Sequence, residues 1–338
     1  MVKVICTIIG TFIGAGFASG KEVYLFFFKY GFYGIIGAII SSVSVGYVIF
    51  KTIKIIKNNM IENYDEFLDY TIKNKTIKII LNNIIDIFLI ISFCVMISGF
   101  CAFLEQEFNI SKMISHILIL VICYFIFQKN INGITKINDI VIPFIILIII
   151  YIALVKTNKA CDYFLENIKI EKANFKFLLD SLIYANYNLL TIVPIIITIQ
   201  KFITKKKNIK KIAIISSIII FILSMAIFIL LLQTSSDISN LEMPIIYIVG
   251  KYGKQYKYIY SLIIGVAIFT TAISSGYGYL QKYESDKKKY NKKIIYLMLG
   301  TILSVQIGFS RLIEILYPMF GFIGIIQSIY IIKSRDNI

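Results

Sequence analysis

Along the chain, long apolar runs alternate with short lysine-rich stretches. The runs are about 17–25 residues long, the length an α-helix needs to cross roughly 30 Å of hydrocarbon. Lipid offers backbone groups no hydrogen-bond partners, so spanning segments must be helices or strands of a closed barrel. A barrel strand alternates polar and apolar residues over about ten positions. The runs at 140–155 and 212–232 do not alternate, which leaves helices. The pattern predicts an all-α membrane protein with ten spans, at residues 2–28, 32–50, 79–104, 113–127, 140–155, 177–199, 212–232, 258–280, 294–309 and 312–332. The whole chain, 1–338, reads as one transmembrane unit.

An even number of spans puts both termini on one side. Lysines and arginines mark the cytoplasmic loops. The termini and the loops on their side carry 23 of these residues, and the opposite loops carry 12. This bias predicts cytoplasmic N- and C-termini. Two loops carry amphipathic patterns. In 51–78, Glu62, Asp65, Glu66 and Asp69 alternate with Phe67 and Leu68, which predicts a short helix on the inner membrane surface. The stretch 162–176 predicts a similar helix on the outer surface.

Composition adds little to this picture. The 338 residues are 58% hydrophobic and 16% charged, against roughly 25% charged in soluble domains. The net charge of +16 sits in the loops as an orientation signal, so no nucleic-acid partner is expected; the partners are the lipid bilayer and a small solute. Cys6, Cys94, Cys101, Cys123 and Cys161 form no C-x-x-C pair, and the first four fall within spans as packing residues. His116 has no ligand cluster around it. The first span lacks a cleavage motif and is too long for a signal-peptide core, so it is expected in the mature protein.

That first span is the most informative segment. It contains Gly10, Gly14, Gly16 and Gly20, followed directly by Lys21 and Glu22. A glycine inside a helix costs about 0.8–1 kcal/mol relative to alanine, so four weaken it by about 3–4 kcal/mol. Gly10/Gly14 and Gly16/Gly20 each form a G-x-x-x-G packing pair. The pairs lie about 200° apart around a helix, so one packing face does not account for both. An ionisable residue at the bilayer centre costs at least about 2.5–3.5 kcal/mol. An unwound segment is therefore expected. The carbonyl end of its first half can ligate a cation, with Gly10 and Ile13 as donors. The amides of Gly14, Ala15 and Gly16 can hold the anionic end of a solute. Glu22 could attract a solute amine, form a gate, carry a proton, or merely pair with a lysine or a helix dipole.

The sixth span offers a second weak point. Tyr184, Asn186, Tyr187 and Asn188 lie mid-span, and Pro194 follows. Buried amides are costly and proline removes a backbone donor, so a second break is expected here. The alternative is a proline kink with the asparagines bonded to a neighbouring helix. The eighth span carries Thr270, Thr271, Ser274 and Ser275, hydroxyls suited to Na⁺, though Ser274 and Ser275 could instead be packing residues. Pro318, Gly321 and Gly324 mark a kink in the last span.

The run of residues 10–22, G-T-F-I-G-A-G-F-A-S-G-K-E, resembles the YkvI family of bacterial membrane proteins. That family is placed in the amino acid–polyamine–organocation superfamily. Residues 184–188 are similar to its sixth-span pattern, and Thr270-Thr271-Ala272 to the eighth-span pattern of branched-chain amino acid:cation symporters. The resemblance implies a LeuT-type fold of two inverted five-helix repeats, here 1–155 and 177–333, with the first and sixth helices broken. It also implies Na⁺ held by Gly10, Ile13, Thr270, Thr271 and Ser274, and a solute held by Gly14, Ala15, Gly16, Phe17, Tyr184, Asn186, Tyr187 and Asn188. Some proton-coupled members carry a lysine of the fifth helix in the sodium position; 140–155 has none, which favours Na⁺.

The function expected is secondary active transport of an amino acid or related zwitterion, Na⁺-coupled, with no other cofactor. A germinant-receptor-like sensor that binds without transporting is the alternative, and it would need partner subunits. No paired catalytic aspartates, Ser/His or Ser/Lys arrangement is present, so no enzyme is expected.

Overall fold

The computed structural model describes residues 1–128, 134–155, 175–203, 208–233, 238, 241–280, 283 and 286–334, with backbone alone at 134–142 and 155. The outer-surface helix expected at 162–176 and Cys161 lie almost wholly or wholly outside the described residues. Among the described residues, every regular element is helical.

The first predicted span is three short helices, α1 (Val2–Phe12), α2 (Ala15–Ala18) and α3 (Lys21–Phe26). Then follow α4 (Phe32–Asn59), α5 (Tyr64–Thr71), α6 (Lys75–Phe108), α7 (Lys112–Gln128) and α8 (Ile134–Val155). The second half holds α9 (Lys176–Ile199), α10 (Asn208–Leu232), α11 (Pro244–Gly250), α12 (Lys254–Leu280), α13 (Lys287–Ile307) and α14 (Phe309–Lys333). All ten apolar runs are helical. Six of these helices, α4, α6, α9, α10, α12 and α14, are long and apolar enough to cross a bilayer; α1, α7 and the Pro143–Leu154 part of α8 are shorter apolar helices. Outward-facing Val43, Ile117, Phe125, Leu147, Leu262 and Leu303 are each about half exposed or more, a surface suited to lipid and not to water. The chain is a multispanning helical membrane protein.

Polar caps set the helix ends. Asn63 accepts from the Glu66 amide (2.9 Å) while Glu66 accepts from the Glu62 amide (2.8 Å), a reciprocal cap that starts α5. Asn74 caps α6 through the Thr76 and Ile77 amides. Asp286 caps α13 through the Lys289 amide, a bond that holds its carboxyl below the usual carboxylate range. The α5 helix is amphipathic as expected, but its apolar face packs on protein instead of lipid. Leu68 joins Ile72 and Leu81 in a small core with Ile323 and Tyr330, and Gln327 of α14 donates to the Tyr64 hydroxyl (2.7 Å).

Two expectations need correction. The sixth span is not broken: α9 runs without a gap from Lys176 to Ile199. Asn186 and Asn188 donate to the carbonyls of Leu182 (2.7 Å) and Tyr184 (3.0 Å), four residues back, so their amides reinforce the helix instead of opening it. Pro194 is accommodated inside the helix, which tightens into a 3₁₀ turn only at Gln200–Phe202. Second, the fifth-span helix starts earlier than expected, at Ile134, and takes in Lys136 in its first turn.

Helix α9 is central. It packs against α14, α4, α1 and α3, and carries buried residues around most of its circumference. Its approach to α14 is a backbone contact: a Cβ on Gly321 would come within 2.6 Å of the Ile183 carbonyl oxygen. Small residues permit such approaches where lipid removes the usual hydrophobic drive between helices.

Candidate functional site

The expected break in the first span is present. Helix α1 stops at Phe12, and Gly14 is extended (φ −87°, ψ −179°) before α2 begins. The Ile13 amide donates to Ile9 O (2.9 Å) and the Gly14 amide to Phe12 O (3.0 Å). Neither reaches Gly10 O, and among the described residues no amide reaches Ile13 O. Among the described residues, the two carbonyls expected as cation donors thus accept no backbone hydrogen bond. A Cβ placed on Gly14 would meet no atom within 4 Å, so open space lies beside the break.

A second interruption follows at Ser19–Gly20, where Gly20 adopts a left-handed conformation (φ 84°). A segment the apolar pattern did not reveal, α11 and the residues leading into it, covers this point. The Ile245 amide donates to Ser19 O (3.0 Å), and Lys21 Nζ to Leu241 O (3.2 Å). Gln106 holds Met243 at both backbone groups, through its amide (3.1 Å) and its carbonyl (3.4 Å). Glu242 accepts from the Ser310 amide (2.7 Å) at the start of α14. Tyr260 of α12 donates to Ala18 O (2.7 Å). The one sequence signal for α11 was Pro244 at a helix start, ahead of an apolar run.

A Gly20→Ala change would strain the left-handed backbone and put a Cβ 2.5 Å from Ile245 Cγ1. We expect destabilisation of about 2–4 kcal/mol, read as a lowered unfolding temperature in detergent. An unchanged temperature would show that α11 does not bear on Gly20.

Glu22 folds back from α3 over the break. It is 2% exposed, and its carboxyl presses on Gly16, where a Cβ would lie 2.9 Å from Glu22 Cγ. Tyr187 of α9 donates its hydroxyl hydrogen to Glu22 Oε2, and the Phe17 amide lies alongside. The Tyr184 hydroxyl, fully buried, faces Glu22 and Asn188 without closing a hydrogen bond to either. Aromatic rings wall this cluster. Tyr184 packs on Phe12 (5.7 Å between centroids), Phe26 (5.2 Å) and Phe27 (4.8 Å), and Tyr187 packs on Tyr317 of α14 (4.4 Å).

The structure therefore gathers Gly16, Phe17, Glu22, Tyr184 and Tyr187 in one place, with Asn188 beside Tyr184. Asn186 lies elsewhere: its Cβ and backbone carbonyl abut Gly324 on α14, as the opposite face of α9 requires. The Thr270 hydroxyl donates to Val266 O (2.9 Å), and the Thr271 hydroxyl to Ala267 O (2.8 Å), each on its own helix. Their oxygen lone pairs stay available to a cation. Ser275 bonds Thr271 O (2.9 Å) and meets Ser92 of α6 (3.1 Å), a packing role. Sequence reasoning missed Tyr317, which only the fold brings to Tyr187.

Architecture and site define the class: a helical membrane protein whose first span is interrupted beside a buried carboxyl. No family model matches the chain. The chain is 27% identical to a Bacillus subtilis (strain 168) protein named uncharacterized membrane protein YkvI, over 94% of this chain and 91% of that relative. It is 22% identical to a second protein of the same organism, named uncharacterized protein YyaD, over 96% of this chain and 94% of the relative.

Proposed function

We propose that the protein is a secondary active transporter of a small, amino-bearing solute, an amino acid or related zwitterion, working by alternating access about the break in the first span. The observation that carries this reading is the break itself: two carbonyls without backbone donors among the described residues, open space at Gly14 and a buried carboxyl, all within one interrupted helix. Interrupted helices at mid-bilayer are the usual device by which transporters grip a solute and its coupling ion. In this reading the ten helical runs form two five-helix repeats of the LeuT type, with both termini cytoplasmic in the plasma membrane. The unbroken α9 makes the site asymmetric, with the peptide dipoles supplied by the first span and side chains by the sixth.

Na⁺ is the proposed coupling ion, between Gly10 and Ile13 on one side and Thr270, Thr271 and Ser274 on the other. The two spans that carry these donors are in contact. Tyr260 fixes the register of α12 at Ala18. Gly10 lies eight residues from Ala18, across the break, and Thr270 lies ten residues from Tyr260, about 15 Å along α12. Helix α12 is antiparallel to α6, since Ser261 meets Glu107 and Ser275 meets Ser92. The start of α11 joins the Glu107 end of α6 to Ser19, the same end at which Tyr260 meets Ala18.

Protein reconstituted in liposomes should accumulate a labelled amino-bearing solute when an inward Na⁺ gradient is imposed. Thr270→Val should raise the Na⁺ concentration for half-maximal uptake about tenfold, the equivalent of roughly 1.4 kcal/mol. Saturable binding with no gradient-driven uptake would replace the transporter with a membrane-embedded sensor.

A further inference from the structure

This inference rests on the transport reading and shifts its substrate class from zwitterions to amines. We infer that the solute is recognised through a cationic amino group held by Glu22, and that amines lacking a carboxylate fit the site better than the corresponding amino acids.

Glu22 is a carboxyl buried at the break with no lysine or arginine among the described residues paired to it; the groups around it are Tyr187, Tyr184, Tyr317 and the Phe17 amide. The neighbouring Lys21 directs its ammonium to Leu241 O instead. A carboxyl removed from water holds a proton or sits beside a cation, and among the described residues the protein supplies no such cation. The surrounding rings, Phe12, Phe17, Phe26, Tyr184, Tyr187 and Tyr317, suit such a cation, because aromatic faces attract ammonium groups. The Tyr184 hydroxyl, buried and with no hydrogen-bond partner among the described residues, is a further polar group left for an incoming solute.

The same geometry disfavours a solute carboxylate. An anion at the break would need the amides that open α2, and the Glu22 carboxyl already lies against Gly16 and beside the Phe17 amide. Two carboxylates sharing that place would repel each other. Gly14, two residues before Gly16 in the chain, has open space beside it.

The test uses the purified full chain in detergent with Na⁺ present. Thermal shift and equilibrium binding are measured with matched pairs of probes: tyrosine and tyramine, leucine and isoamylamine, lysine and cadaverine. At least one amine should bind about tenfold or more tightly than its amino acid. Glu22→Gln keeps an acceptor for Tyr187 and should fold, as its ligand-free unfolding temperature will show; it should lose at least tenfold in amine affinity and erase the preference. Glu22→Asp, which keeps the charge, should retain the preference. Amino acids binding more tightly than their amines would overturn this inference while leaving the transport reading intact. An amine affinity unchanged in a folded Glu22→Gln would overturn it too, and would assign the carboxyl to a coupling cation. No shift with any member of any pair would count against both readings.

Discussion

Gly324→Ala is expected to be among the most damaging single-methyl changes in the protein, lowering stability by about 3 kcal/mol or more. The added carbon would be driven into the backbone carbonyl of Asn186, with that residue's Cβ at 3.2 Å. A flexible side chain could turn away; a peptide group in the middle of α9 cannot. One turn earlier, Gly321 meets Ile183 Cγ2 and the Ile183 carbonyl in the same manner, so α9 and α14 touch along a seam with no slack. That seam also sets where Tyr317 stacks on Tyr187, so a variant that survives by separating the helices would disturb the cluster around Glu22. Gly278→Ala is the matched control. Its Cβ would sit 3.6 Å from the Leu89 methyls, an ordinary contact, and alanine is the better helix former by about 0.5–1 kcal/mol. Unfolding temperature and the monodisperse fraction in detergent measure both. Equal behaviour of the two variants would mean that the seam is looser than described.

The contrast between the first and sixth spans shows what the sequence can and cannot reveal. Glycine acts locally: Gly14 and Gly20 weaken their own backbone, and the breaks occur at those residues. Asparagine acts through its partners. Asn186 and Asn188 could equally have opened the helix or bonded to its carbonyls, and the choice depends on what surrounds α9. Long apolar runs gave the helices reliably, because a span must satisfy its own backbone wherever it packs. The α5 helix was legible from its alternation, but the pattern says only that one face is apolar. Whether that face meets lipid or α14 is a tertiary matter, settled by Ile323, Gln327 and Tyr330. The α11 segment was overlooked for a related reason: at seven residues it is too short to stand out by periodicity, and its place depends on Gln106 and Glu242, far away in the chain. Glu22 was visible as an oddity in an apolar span, while its ring of tyrosines, drawn from α9 and α14, was only partly so.

Gly14→Leu should abolish uptake in liposomes, by at least tenfold, while leaving the protein folded. Function and stability separate here because of the conformation at the break. Gly14 has negative φ and extended ψ, a backbone state open to any residue, so leucine carries no strain. Its Cβ would enter space with no atom within 4 Å, so the fold has nothing to push against. The branched end of the side chain, reaching further, would occupy the room beside the break that a solute must enter. The unfolding temperature is expected to stay within a few degrees of wild type, and Gly14→Ala, with a single carbon, should keep measurable uptake. This pattern is the reverse of the one expected at Gly324, where stability is lost first. A folded Gly14→Leu protein with undiminished uptake would move the solute away from the break in the first span, and would remove the physical basis for reading this membrane protein as a transporter built around it.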